Sequence, residues 1–194
     1  MTKKTWGDRS EDILLAVDFQ NVYLPGNPWE CPDMIQAMEN TVKILRSPGA
    51  PEYIFTKFIA PDKPVGCWSR YNEKYADINA DPYMEDVPDL IREFASGDNI
   101  VEKSTYSSMH SERVMARIRG KKRIALTGVV AECCVMATMM DAIDMGYEVI
   151  YLYDCISGCT PENERAILAL AKTFCPIHTQ VMTCDEYISL IAPA

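Results

Sequence analysis

What most constrains the fold of this 194-residue chain is a set of short apolar runs that lack polar alternation. Residues 13–19 read I-L-L-A-V-D-F and residues 124–129 read I-A-L-T-G-V. A strand with one wet face alternates polar and apolar side chains. Unbroken runs of this length therefore belong to strands buried on both faces, the situation of a parallel sheet covered by helices. The spacing predicts strands at 13–19, 53–59, 100–102, 124–129, 147–153 and 178–182. Helices are predicted at 34–46, 89–95, 112–118, 134–145, 161–174 and 185–191. The first helix is expected to be capped by Asp33 and to bury Ile35, Met38, Val42 and Leu45. Strand and helix alternate without a repeat or a linker, which predicts an α/β fold forming one domain over 1–194.

The stretch 60–88 departs from this rhythm, with Pro61, Pro64, Pro82 and Pro88 among Trp68, Tyr71, Tyr75 and Tyr83. A long aromatic connection in a compact domain reads either as a binding loop or lid, or as a seal for the surface or a subunit contact.

A formal net charge of −9 argues against a general binder of nucleic acid or anionic membranes. No run of about 18 apolar residues is present, so no membrane-spanning helix is expected. The polar N-terminus has no apolar signal core, and the protein is read as cytoplasmic. The eight cysteines are then expected to be thiols. There is no C-x-x-C pair, and the two histidines, His110 and His178, have no ligand-like neighbours, so neither a metal nor another cofactor is expected.

The chemistry gathers at strand ends. Asp18 follows the first strand, Lys103 the third, and Cys134 lies in the first helical turn after the fourth. Ligands of open parallel sheets bind beyond the carboxyl ends of the strands. Alone, Asp18 reads as a cap, Lys103 as a solvated side chain and Cys134 as packing. Together they form a base, a cation and a nucleophile. The helix N-terminus and the cation are expected to favour the thiolate of Cys134.

The segments L-L-A-V-D-F-Q-N, V-E-K-S-T-Y-S and L-T-G-V-V-A-E-C-C-V-M-A-T-M-M-D-A-I-D-M-G-Y-E-V resemble the isochorismatase-like cysteine hydrolase superfamily, in order and across nearly the whole chain. The resemblance implies a three-layer α/β/α fold whose six-stranded parallel sheet has the order 3-2-1-4-5-6. It implies a catalytic triad of Asp18, Lys103 and Cys134, with Cys133 at a variable site. It further implies a cis peptide at Val129–Val130 and an oxyanion hole made by the N–H groups of Val130 and Cys134. Nicotinamidase-type members carry an Asp-x-His metal motif after the second strand. Here that region reads T-K-F-I-A-P-D-K-P-V, without histidine, which disfavours a metal-dependent nicotinamidase. Isochorismatases proper lack the cysteine, so Cys134 favours cleavage of a C–N bond in a small amide, ureide or carbamoyl compound. Vinyl-ether hydrolysis stays open as an alternative, as does a non-catalytic ligand-binding or redox-sensing role using Cys133 and Cys134. Ala131 and Glu132 stand where Thr-Asp is usual.

Proximity in sequence to the triad makes Tyr23, Trp68, Tyr71, Tyr106 and His110 candidates to line the substrate pocket. Asp141 and Asp154 read as residues that cap or orient backbone. The expected partner is a small-molecule substrate, and the Met-rich and aromatic content suggests a homo-oligomer.

Overall fold

A computed structural model describes residues 9–193. The polar N-terminal stretch 1–8, read above as lacking a signal core, lies outside the described residues. Six strands form one sheet: β1 (Asp12–Val17), β2 (Glu52–Phe58), β3 (Ile100–Lys103), β4 (Arg123–Gly128), β5 (Glu148–Ile156) and β6 (Thr179–Met182). Every pair is parallel, and the order is β3-β2-β1-β4-β5-β6. All six residues of β1 and all six of β4 are buried, as the aliphatic stretches 13–17 and 124–126 within them require.

The period of two in β1 feeds two separate cores. Leu14 and Ala16 pack with Met34, Met38 and Ile44 of α1 (Met34–Leu45) and with Tyr187 and Ile191 of α8 (Cys184–Ile191). Ile13, Leu15 and Val17 pack on the other face with Val114 and Ile118 of α5 (Glu112–Ile118), Met139 of α6 (Met136–Asp144), and Ile167 and Ala171 of α7 (Pro161–Thr173). Each such aliphatic side chain contributes about 1.5–3 kcal/mol through burial. The result is a three-layer α/β/α arrangement. Where β1 and β4 begin, the buried Asp12 carboxylate accepts from Arg123 Nε, a register partner, so the edge opposite the strand ends is closed by an ion pair. Among the described residues no helix is long and apolar enough to cross a membrane.

Several boundaries differ from expectation. β1 stops at Val17, because Asp18 takes a left-handed φ of 51° and turns the chain out of the strand. Asp33 sits at the start of α1, but its side chain makes no cap; its N–H donates instead to Ser157 Oγ. Ile35 is 46% exposed, and the buried face runs through Met34, Met38, Val42 and Leu45. The 60–88 stretch is largely helical, with α2 (Cys67–Lys74), α3 (Ala76–Asn79) and α4 (Pro82–Glu85). Its aromatic side chains stack on one another, which period-based reading does not register. The 89–95 helix shrinks to a 3-10 turn, Asp89–Ile91. β5 runs on through Asp154 to Ile156, past an irregularity where Gly128 rather than the next residue of β4 meets it. The last helix starts at Cys184, behind a capping box in which Thr183 and Glu186 satisfy each other's N–H groups.

Gly128 is where the sheet meets the site. Its φ is 120°, and a Cβ there would lie 2.1 Å from the Val17 carbonyl oxygen. Gly128→Ala is expected to destabilise the fold by about 2–4 kcal/mol through backbone overlap and an unfavourable φ. Chemical denaturation measures this, and an unchanged midpoint would contradict the close approach.

Candidate active site

The end of β1 is pinned to β2. The Asp18 N–H donates to the Thr56 carbonyl (3.1 Å) and to Thr56 Oγ1 (3.3 Å), and Thr56 Oγ1 donates in return to Asp18 Oδ1 at 2.7 Å. Asp is among the few non-glycine residues that adopt a left-handed φ readily, so the turn that aims this carboxylate suits its residue type. The next two residues fix the loop beyond. Gln20 bonds Phe58 N–H, Phe58 O and Glu85 O, and Asn21 bonds Asp86 O and Tyr83 O.

Lys103 ends β3, two strands away, and crosses β2 above Phe58, its register partner. The ammonium lies 5.5 Å from the Phe58 ring centroid and reaches Asp18 Oδ2 at 2.6 Å. It also donates to the carbonyls of Thr105 (2.8 Å) and Tyr106 (3.0 Å), so its three N–H donors are all engaged. Both charged side chains are essentially inaccessible to water.

β4 runs into a peptide, Val129–Val130, that is cis, and then into a π-helical turn, Ala131–Val135, that carries Cys134. The Ala131 N–H donates to Ser157 O, and those of Cys133 and Val135 donate to Val130 O. The Cys134 thiol is 3% exposed and feels the Asp18 carboxylate directly. Burial pushes this thiol well above its ordinary pKa, Asp18 pushes it further, and Lys103 pulls it back without reversing the direction. The thiolate expected from a helix start is therefore not the resting form. Water exclusion and the adjacent Asp18 outweigh the helix dipole and the lysine, and Cys134 rests as a thiol.

Glu132, one of the two unusual residues of this turn, points away from the thiol. Its Oε1 accepts from Cys159 N–H (3.2 Å) and Asn163 Nδ2 (2.6 Å), which ties the nucleophile turn to α7.

A cleft of about 550 Å³ opens onto Cys134 and Val130, within the range of small-molecule sites. Of the predicted lining residues, Tyr23, Tyr71 and Tyr106 are present. Trp68 is not: it stands behind them, 5.1 Å from the rings of both Tyr71 and Tyr106 and 5.9 Å from Phe58. His110 lies elsewhere, its Nε2 3.1 Å from Asp141 Oδ2, because the turn that carries it folds onto α6 through the bond from Ser108 N–H to Thr138 Oγ1. Asp141 thus pairs with a side chain rather than with backbone, whereas Asp154 Oδ1 does accept from the Cys184 N–H at the start of α8. Trp29, Glu30, Tyr75 and Cys159 also line the cleft and were missed. Trp29 belongs to a Pro-rich stretch that reads only as a loop, and nothing in its spacing places it near Cys134. Burial raises the phenols of Tyr23, Tyr71 and Tyr106, so all three are neutral hydrogen-bonding groups at neutral pH.

The donor set does not fit a metal centre. The stretch after β2 has no histidine, Thr56 is engaged by Asp18, and the described residues contain no group of three His, Cys, Asp or Glu side chains that could hold an ion.

Fold and site together define an α/β protein with a carboxylate, an ammonium and a thiol converging at the carboxyl edge of its sheet. The chain belongs to the isochorismatase domain family, whose pattern it matches over residues 12–185. A secreted isochorismatase effector of Phytophthora sojae is 23% identical over 159 residues, covering 80% of this chain and 66% of that protein. N-carbamoylsarcosine amidase of an Arthrobacter species is 24% identical over 172 residues, covering 82% of this chain and 64% of that protein. The chain thus spans just under two thirds of the length of both relatives. A crystallised cysteine hydrolase from Pseudomonas syringae pv. phaseolicola superposes with a TM-score of 0.79 at 19% identity, covering 98% of both chains, a likeness of fold.

Proposed function

We propose that this protein is a cysteine hydrolase that cleaves the C–N bond of a small amide, ureide or carbamoyl compound. The observation that carries the reading is Asp18, fully buried, with its carboxylate 2.6 Å from the Lys103 ammonium and acting on the thiol of Cys134. Asp18 takes the thiol proton as Cys134 Sγ attacks the substrate carbonyl carbon. The oxyanion so formed is assigned to the N–H groups of Val130 and Cys134, each worth about 2.7–4 kcal/mol of barrier in sites of this kind. Asp18 returns the proton to the leaving nitrogen, the C–N bond breaks, and the acyl group remains on sulfur as a thioester. Asp18 then removes a proton from water, which attacks the thioester and releases the acid and the thiol. Lys103 is a positioning residue whose ammonium, 2.6 Å from Oδ2, holds the Asp18 side chain in place in a dry site.

The other readings find less support. A redox role for Cys133 and Cys134 needs a ready thiolate, and burial raises both thiols. Vinyl-ether hydrolysis of a dicarboxylate needs cations in the pocket, and among the described residues no Lys, Arg or His lines the cleft.

The test is acid quench during turnover of a primary amide, followed by mass analysis of the peptide bearing Cys134. That peptide is expected to gain the mass of the acyl group while ammonia is released. Turnover with no adduct, or an adduct on another cysteine, would remove Cys134 from the mechanism.

A further inference from the structure

The cleft also carries information about the end of the substrate that does not react. Four rings crowd one wall. Trp29 lies 5.8 Å from Tyr23 at 40°, 6.2 Å from Tyr71 at 49° and 5.3 Å from Tyr75 at 87°. Tyr71 and Tyr75 are 4.9 Å apart at 59°. None of these pairs is parallel, so the rings turn faces and edges in several directions around one volume. Glu30 is part of the same lining, its Oε2 held by the Gly26 N–H at 2.9 Å.

The charges of the lining are one-sided. Among the described residues Glu30 is its single carboxylate, and no Lys, Arg or His side chain lines it. Lys103, the cation next to the thiol, has all three donors engaged and is shielded from water. A substrate carboxylate entering here would lose water without gaining a cationic partner, in a protein whose net charge is already −9. A primary ammonium would need several hydrogen-bond acceptors. An N-alkylated ammonium needs none, because ring faces and a nearby carboxylate stabilise it directly. One ring is already in use, since Lys74 Nζ lies 4.9 Å from the Tyr75 centroid, which leaves Trp29, Tyr23 and Tyr71 for an incoming cation.

Building on the hydrolase reading above, we infer that the substrate is a small amide whose far end is an N-alkylated ammonium, held by Trp29, Tyr23, Tyr71 and Glu30. This goes beyond a C–N hydrolase of open substrate by naming the charge of the substrate's far end.

Three amides of similar size test it by ammonia release: 2-(trimethylammonio)acetamide, its uncharged isostere 3,3-dimethylbutanamide, and the anion malonamate. The cation is expected to exceed the isostere in kcat/KM by about 10-fold, the scale of a desolvated cation–ring contact, and the anion to fall below both. Trp29→Leu and Glu30→Gln are each expected to narrow the ratio between cation and isostere. A second measurement does not depend on turnover. Calorimetric titration of the Cys134→Ala protein with tetramethylammonium should show saturable binding that weakens in a Trp29→Leu background, while tert-butanol gives none. If the isostere matches or outruns the cation while ammonia still appears, the inference fails and the Cys134 reading stands. If no amide of the panel yields ammonia or an acyl adduct, the hydrolase reading loses its support, and the titration alone decides the cation site: no saturable binding overturns it.

Discussion

Cys134→Ala and Asp18→Asn are both expected to silence amide hydrolysis, yet to leave the thiol chemistry of the site in opposite states. Removing the nucleophile leaves no covalent route, and the expected loss in kcat is on the order of 10⁶-fold, the scale seen when a nucleophile is deleted from a hydrolytic triad. Removing the base costs roughly 10²–10⁴-fold, the usual share of positioned proton transfer. The second variant keeps the thiol and alters only its neighbour. In the native protein the Cys134 pKa is raised first by burial and then by the Asp18 carboxylate, with Lys103 the opposing influence. Asparagine removes the carboxylate and keeps Lys103 on the Thr105 and Tyr106 carbonyls. The thiol pKa should therefore fall. Alkylation by iodoacetamide, followed against pH on the Cys134 peptide, is expected to titrate at lower pH in Asp18→Asn than in the native protein, although hydrolysis is lost. A midpoint that stays put or rises would mean that Asp18 does not face the thiol, and its role as base would go with it.

Lys103→Met should act on stability and chemistry together. It leaves the Asp18 carboxylate fully buried, with Thr56 as its remaining side-chain donor. Removing one partner of a buried ion pair typically costs about 3–5 kcal/mol, because the other charge stays desolvated and unpaired. Methionine nearly conserves the volume over Phe58, so packing loss is a minor part of that figure. The thiol pKa should move up, opposite to its shift in Asp18→Asn, since Lys103 lowers it in the native site. Denaturant unfolding reads the first effect and pH-dependent alkylation the second. Native stability together with an unshifted thiol would show that the ammonium does not hold this carboxylate.

The opposite signs of these two shifts are visible only with the site assembled. From sequence, a thiol at a helix start reads as a thiolate, because the dipole is a local property of the helix. The folded protein places Cys134 at 3% exposure against a carboxylate 116 positions earlier in the chain (134 − 18), and both influences raise its pKa. Burial and long-range charge are products of packing, and no spacing rule encodes them. The same limit explains the lining. Tyr23, Tyr71 and Tyr106 were reachable from sequence because each lies near a strand end or in the aromatic stretch. Trp29 comes to the cleft through backbone bonds that fold 22–31 back on itself, from Trp29 N–H to Val22 O and from Cys31 N–H to Tyr23 O. Trp68 and His110 were misplaced because nearness along the chain does not say which way a helix or turn faces.

What the sequence by itself determined is the architecture and the edge at which a carboxylate, an ammonium and a thiol gather. Apolar runs without alternation admit only strands covered on both faces, and in a parallel sheet every strand ends at the same edge, so Asp18, Lys103 and Cys134 had to meet there. Tertiary structure alone decided their working state. The left-handed turn at Asp18, the reach of Lys103 across β2, and the dry pocket that keeps Cys134 a thiol arise from contacts between segments far apart in the chain. Such contacts exist only once the sheet has closed, and they settle where protons rest and which ends of a substrate the cleft can hold.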